Sequence, residues 1–463
     1  MSRPAIRDVV DGALLVEYPG LDDDEANRAA QALSWALVAH TPAGILDWVP
    51  AARTLLVLYE PAVVDRATLR GALIQPASAV AAPPPREVRV PVRYDGQDLD
   101  AVAQSCGLDR AELIRRHSGA RYRVAFIGFA PGFPYLEGLP RELHTPRLKS
   151  PRTRVPSGSI AIADRYAGIY PASLPGGWNL LGRTSLRIFD GQPLLQPGDA
   201  ITFVESGDVE SPEERTEPPP PLARLRILSG DGLTSVQGGP QYGRARFGVP
   251  AGGAMDEVAL AEGNALLGQN PLTPGLEVTL SGPEVSFLDS CRFCLTGAEI
   301  DAELEGRRIS MSAVVEARPG ERLCLGRASG GVRSYLCAEG LGEPLASIHR
   351  PVRAASDGPI RVVWGAQEAA FSLAGRQAFT ATEYRVSPQS DRKGVRLVGP
   401  PIERVATADI PPEGTAPGAI QVPGDGLPII LGPDRPVTGG NTKIATVVGA
   451  DLGRVAQLRP GAT

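Results

Sequence analysis

Apolar and polar positions first alternate between strand-like runs and one helical stretch. The run "GALLVEY" (12–18) reads as a strand. Behind an Asp cluster able to cap free N–H groups, Ala26, Ala29, Ala30, Leu33 and Leu37 recur at helical spacing. "GILDWV" and "TLLVLY" read as two more strands and "VDRATLRGALIQ" as a second helix. This order predicts a small α+β domain over residues 1–85.

The next segment opens with a strand, "REVRVPVRY", and two short helices, the second with Asp109 and Glu112 spaced as a capping box. From Tyr122 onward short apolar runs are broken by Gly and Pro, the pattern of a β-barrel or sandwich. Two linkers divide the chain: "PASAVAAPPP" (76–85), and "ESGDVESPEERTEPPPP" (205–221), acidic and then proline-rich. They give a first barrel at 86–210, a linker core at 211–221 and a β-rich tandem at 222–463. An internal repeat joins the last two parts. "PSGSIAI" (156–162) resembles "APGAIQV" (416–422), and "LPGG" (174–177) resembles "VTGG" (437–440). Each glycine pair ends 20 residues before the next Pro-Gly.

Composition adds limits. Of 463 residues, 43% are hydrophobic and 21% charged, an ordinary globular balance. The 53 Gly and 45 Pro fit many turns between short strands. A net charge of -5 gives no electrostatic reason to expect nucleic acid or an anionic membrane as partner. The N-terminus lacks the apolar core of a signal peptide, and no run of 18 apolar residues occurs, so a cytoplasmic location is expected. Five cysteines fit reduced thiols. The spacing of Cys291, Cys294, Cys324 and Cys337 is not that of paired zinc knuckles, so no metal is expected.

Candidate chemistry concentrates in a few places. "VAFIGFAPGFPYLEGLP" (124–140) crowds Phe126, Phe129, Phe133 and Tyr135 among glycines and prolines. Phe126 is expected in the core; Phe129, Phe133 and Tyr135 are expected to wall a binding site. Arg147, Arg152 and Arg183 are candidates for a fork that clamps carboxylate or phosphate, with Arg154 a weaker one. Surface arginine is the competing reading. His117 is a candidate general base by its near-neutral pKa, or a helix-end cation. "VPSGS" and "PGGW" offer closely spaced N–H groups at Ser157, Ser159, Gly176 and Gly177, or plain tight turns. The second copy places Asp434, a further catalytic candidate, with Arg435, Thr438, Gly439, Gly440 and Lys443 in a polar pocket of its own.

The motifs quoted from the first half, with "PRLKSPRTRVPSGSIAI", "GIYPASLPGGWNLLGRTSLRIFD" and "PGDAITF", resemble the KipI-like family, which is also called the B component of 5-oxoprolinase or the first component of allophanate hydrolase. "FGVPAGGAMD", "GNALLG", "LEVTLSGPEV", "SDRKGVRLVG", "GAIQVPGDGLPIIL" and "DRPVTGG" resemble the KipA-like family, the C component of 5-oxoprolinase. The chain is therefore similar to a B–C fusion, as in the carboxyltransferase region of urea carboxylase. The resemblance implies a mainly β fold: the N-terminal α+β domain, then cyclophilin-like β-barrel domains. It also implies a hydrolase that opens 5-oxoproline, a small-molecule cyclic amide, at the expense of ATP, whose phosphoryl group would activate the lactam oxygen. The implied partner is a LamB/YcsF-type protein, the A component of 5-oxoprolinase; a homo-oligomer is compatible with it. An allophanate/urea carboxyltransferase role and a KipI-like histidine-kinase inhibitor without enzymatic activity are the alternatives. The second half departs from its family at "QGGPQYGR" (237–244), at "ASIHRPVR" (346–353) and in its tail beyond Pro460.

Overall fold

The computed structural model describes residues 4–74, 83–207, 209–212, 224–230, 233–344, 351 and 358–463. Residues 76–82 of the first linker, the proline-rich part of the second and all of "ASIHRPVR" except Pro351 lie outside the described residues.

The N-terminal domain is a four-stranded antiparallel sheet in the order β1 (Ala5–Val10), β2 (Ala13–Glu17), β4 (Thr54–Tyr59), β3 (Ile45–Pro50). Helices α1 (Asp23–Ala39) and α2 (Arg66–Ile74) cover one face. The Asp cluster caps α1 as expected: Asp22 and Glu25 form a reciprocal capping box. The other sheet face is not left to solvent. Val9, Leu15, Val49 and Leu56 pack against Ala245, Ala416 and Val437 of the second half. Alternation along each strand feeds both cores at once.

The first barrel contains β5 (Glu87–Val92), α3 (Leu99–Ser105), α4 (Arg110–Gly119), β6 (Tyr122–Ile127), β7 (Pro134–Glu137), β8 (Arg152–Val155), β9 (Ser159–Ala163), β10 (Tyr166–Ile169), β11 (Leu174–Gly176) and β12 (Asn179–Arg183). Its main sheet runs β12-β9-β10-β7-β6, then strand Ala200–Glu205, then β5. Reciprocal main-chain bonds between Arg93 and Arg183, each 2.9 Å, join the two edges and close the sheet. The capping box on α4 is half formed: Asp109 accepts from the Glu112 N–H, while the Glu112 carboxylate turns to Arg115 and Arg116.

The second half holds two five-stranded sheets, over residues 225–341, closed around Phe287, Phe293, Leu323 and Leu336. A six-stranded sheet with an attached two-stranded ribbon follows. The sequence repeat is a structural one. β8 pairs with the first glycine strand, β11, just as Asp409–Gly414 pairs with the second, Thr438–Asn441. β9 pairs with β12 as Ala419–Gln421 pairs with Lys443–Val447. Among the described residues no helix is long and apolar enough to cross a membrane.

Candidate functional site

The two halves meet at the aromatic loop. β6 ends at Ile127, and Phe129 takes a left-handed φ of 66°. That turn aims its main-chain N–H at the second half, where it donates to Thr438 Oγ1 at 2.8 Å. Gly128 backs onto the same threonine so closely that a Cβ there would overlap it. The loop is gripped on its other side too: the Gly132 N–H donates to Phe247 O at 2.9 Å, and Gly248 lies against Ala130 O. Burial pushes the Tyr135 phenol up to about 12, while Thr438 beside it acts in the other direction.

Strand Thr438–Asn441 divides this seam in two by its period of two. Thr438 and Gly440 face the first half, and the Arg147 guanidinium stands beside Gly440. Arg147 is exposed and holds Asp164 only at 3.5 Å. Gly439 faces its own barrel, where an added Cβ would overlap Gln421 Nε2. Behind it lies a buried polar group. Lys443 Nζ is 2.9 Å from Glu413 Oε1, and Gln367 Nε2 donates to the same oxygen at 3.1 Å. The lysine lies off the hydrogen-bonding axis despite that short distance, so its ammonium is paired in charge but not in hydrogen bonds. Among the described residues, buried Gln421 Nε2 and Thr442 Oγ1 find no hydrogen-bond partner. Underbonded buried donors are costly, which makes this cluster a candidate.

Several candidates are placed elsewhere. Phe133 and Tyr135 are not a wall. They stack with Phe126, Tyr166, Tyr170 and Trp178 in one aromatic core, because Pro134–Glu137 is itself a strand between β6 and β10. Phe129, half-buried at the edge of that core, reaches the seam. His117 is fully buried inside the first barrel, stacked on Phe203, with Nδ1 2.8 Å from the Tyr94 hydroxyl. Burial pulls its pKa down to about 3, so the general-base expectation gives way to a neutral core ring.

Arg152 is spent on Asp98, at 2.6 and 2.9 Å, tying β8 to the start of α3. Arg183 reaches Asp95 at 2.8 Å, at the end of β12 remote from Trp178. Neither is a free clamp; Arg147 is the arginine at the seam. Arg154 is exposed and holds the Ser173 hydroxyl. Ser157 and Ser159 donate to the carbonyls of Pro171 and Pro156, and the Gly158 N–H is bonded to Tyr170 O, so "VPSGS" is a tight turn. Gly176 and Gly177 lie in or beside the ribbon with β8, Gly176 against the Tyr170 hydroxyl. Asp434 is bound by Arg392 at 2.7 and 3.0 Å, and Arg392 continues to Glu277 at 2.7 Å. Arg435 is buried in a different cavity, not at the seam. Cys294 faces Cys337 across paired strands, while Cys324 is exposed on the other sheet.

Sequence reasoning missed Gln367, Glu413 and Gln421. One signal was present: Gln421 occupies the repeat position where the first copy has Ala161, a polar residue in a core strand.

The carboxyltransferase domain, subdomains C and D, matches residues 4–195, and the carboxyltransferase domain, subdomains A and B, matches 247–344 and 342–463. The chain belongs to the carboxyltransferase-domain family. It carries both carboxyltransferase pairs of subdomains in one polypeptide. The first half is 48% identical over 129 residues to the B component of 5-oxoprolinase from Escherichia coli O157:H7, across 26% of this chain and 59% of that protein. The second is similar to the C component of 5-oxoprolinase from Haemophilus influenzae, 31% identical over 275 residues, across 52% of this chain and 89% of that one. The crystal structure of TTHA0988 superposes over 99% of both chains with a TM-score of 0.85 at 31% identity. The carboxyltransferase pairs of subdomains therefore meet along the seam built by Phe129 and Thr438.

Proposed function

We propose that the chain is the fused B–C component of an ATP-dependent 5-oxoprolinase, hydrolysing 5-oxoproline to glutamate with a LamB/YcsF-type partner protein. The observation that carries this reading is the seam itself. A loop of the B-like half grips the glycine strand of the C-like half, with Arg147 of the first beside Gly440 of the second. In this reading Arg147 binds the carboxylate of 5-oxoproline, since its own ion pair is loose and it is open to solvent. The glycines admit a flat ring close to the backbone. Gln421, Thr442 and the Lys443–Glu413 pair, buried on the other face of the strand, hold the glycine strand in position behind the bound ring.

Neither copy of the repeated glycine pair fits a nucleotide phosphate. Both glycine pairs are extended strand segments paired with a neighbour, not N–H cradles opening a helix. The reading therefore assigns ATP to the LamB/YcsF-type partner. The N-terminal domain spends its sheet face on the chain's own second half, which argues for a scaffold over a free kinase-binding module.

The test mixes purified chain with the LamB/YcsF-type partner and follows ADP and glutamate. Release of both that requires 5-oxoproline, the partner and this chain is expected. Absence of 5-oxoproline-dependent ADP release from the complete mixture refutes the reading, and release driven instead by urea or allophanate moves it to the carboxyltransferase alternative.

A further inference from the structure

A cavity of about 570 Å³ lies where the N-terminal sheet, the segment around 240–258 and the last barrel meet. Its size is that of a small-molecule site. Leu46 and Leu58 wall it from the first side, Tyr242 and Val258 from the second, and Ile430 and Arg435 from the third. Arg435 is the one basic side chain among the described lining residues and is only 3% exposed.

The guanidinium is fixed but not neutralised. Its Nε donates to Thr415 O at 2.9 Å. Among the described residues no carboxylate lies within 4.0 Å of it. The groups acting on it through space are the Tyr242 phenol and the carboxylates of Asp47 and Asp434, and both carboxylates are committed. Asp47 accepts from the N–H groups of Gly243 and Ala245, and Asp434 is held by Arg392. Burial accordingly lowers the arginine's pKa to about 10. An unpaired buried cation is costly, and the cost is relieved by an anion that enters the cavity.

The lining also says which anion. Asp11, Glu60 and Glu257 line the same cavity, so its other charged lining residues are all acidic. That field repels phosphates and dicarboxylates and admits a single negative charge placed at Arg435. The remaining wall is largely apolar. We propose that this cavity is a second binding site, for a small monocarboxylic acid with an apolar or cyclic body, whose carboxylate pairs with Arg435. The site is separate from the Phe129–Thr438 seam and does not rest on the 5-oxoproline reading. Because three parts of the chain line it, an occupant ties the N-terminal domain to the second half.

Isothermal titration of the full chain with cyclopentanecarboxylate, benzoate and 4-methylpentanoate, and with cyclopentanecarboxamide, tests this. At least one carboxylate is expected to bind saturably at one site per chain, and cyclopentanecarboxamide at least tenfold more weakly. Arg435→Met is expected to abolish carboxylate binding. Ala62→Trp, which fills the cavity from an exposed lining position, abolishes it without touching the arginine and carries the test should Arg435→Met fail to fold. Arg147→Ala is expected to leave it unchanged. The proposal is overturned if none of the three carboxylates binds, if the amide binds equally well, if binding survives Ala62→Trp, or if Arg147→Ala removes it.

Discussion

The main-chain N–H of Phe129 donates to the side chain of Thr438, 309 positions away in the chain and 2.8 Å away in space. The Tyr135 side chain lies beside the same threonine. One threonine therefore closes the loop of the first half onto the glycine strand of the second. Thr438→Val keeps the shape and leaves a partly buried N–H without an acceptor, a loss of about 1–3 kcal/mol. Urea denaturation is expected to show that loss, and Thr438→Ser to recover most of it. A valine variant as stable as the parent would remove the hydroxyl from any clasping role.

The two glycine strands offer a matched pair of probes. Alanine at 176 would overlap the buried Tyr170 hydroxyl, and alanine at 439 the end of Gln421. A tyrosine ring locked between Phe133 and its neighbours cannot move aside, whereas a glutamine amide swings. Gly176→Ala should therefore lower the melting temperature clearly more than Gly439→Ala, while Gly439→Ala should cost more in 5-oxoproline turnover.

Arg147 and Arg152 are separable by what they touch. Arg152→Ala removes the charge partner of Asp98, whose side chain is 14% exposed and keeps, among the described residues, only the Leu180 N–H, and is expected to cost about 2 kcal/mol of stability. Arg147→Ala removes an exposed group and should change stability by less than about 0.5 kcal/mol. In the 5-oxoproline assay it should raise KM at least tenfold. An unchanged KM would leave the seam without its carboxylate anchor.

His117 makes stability depend on pH. Its folded pKa of about 3 lies below the ordinary 6.5, so the unfolded chain takes up the proton first. The contribution is complete above about pH 6.5 and is lost as pH falls through the window down to about 3. Melting temperature is expected to drop between about pH 7 and about pH 5, and His117→Phe, though less stable near neutral pH, should show a shallower drop. Equal slopes for both proteins would assign the acid sensitivity to other groups.

Much of this was legible in the sequence because it is local or repeated. The Asp22 cap, the helical run from Ala26 and the doubled glycine motif all appear where expected. What failed depends on partners far along the chain. Arg152 and Arg183 looked available because Asp98 and Asp95 lie 54 and 88 positions away. Phe133 and Tyr135 looked like loop residues because Pro134 hides a strand start, which only its neighbours β6 and β10 reveal. The Lys443–Glu413–Gln367 cluster joins three separate segments and has no contiguous motif.

The N-terminal sheet has a consequence for the chain as it is being made. Its apolar face, from Val9 to Leu58, is complete long before Val437, the last residue that covers it, has been added. At about 5–20 residues per second, that face waits roughly 20–80 seconds at the ribosome for its cover. Two separate polypeptides would have to find each other to bury such a surface. A single chain replaces that search with a delay, and guarantees one copy of each half. The interval should be the vulnerable moment in the life of the molecule: a chain stopped short of residue 225 should recruit chaperones or precipitate.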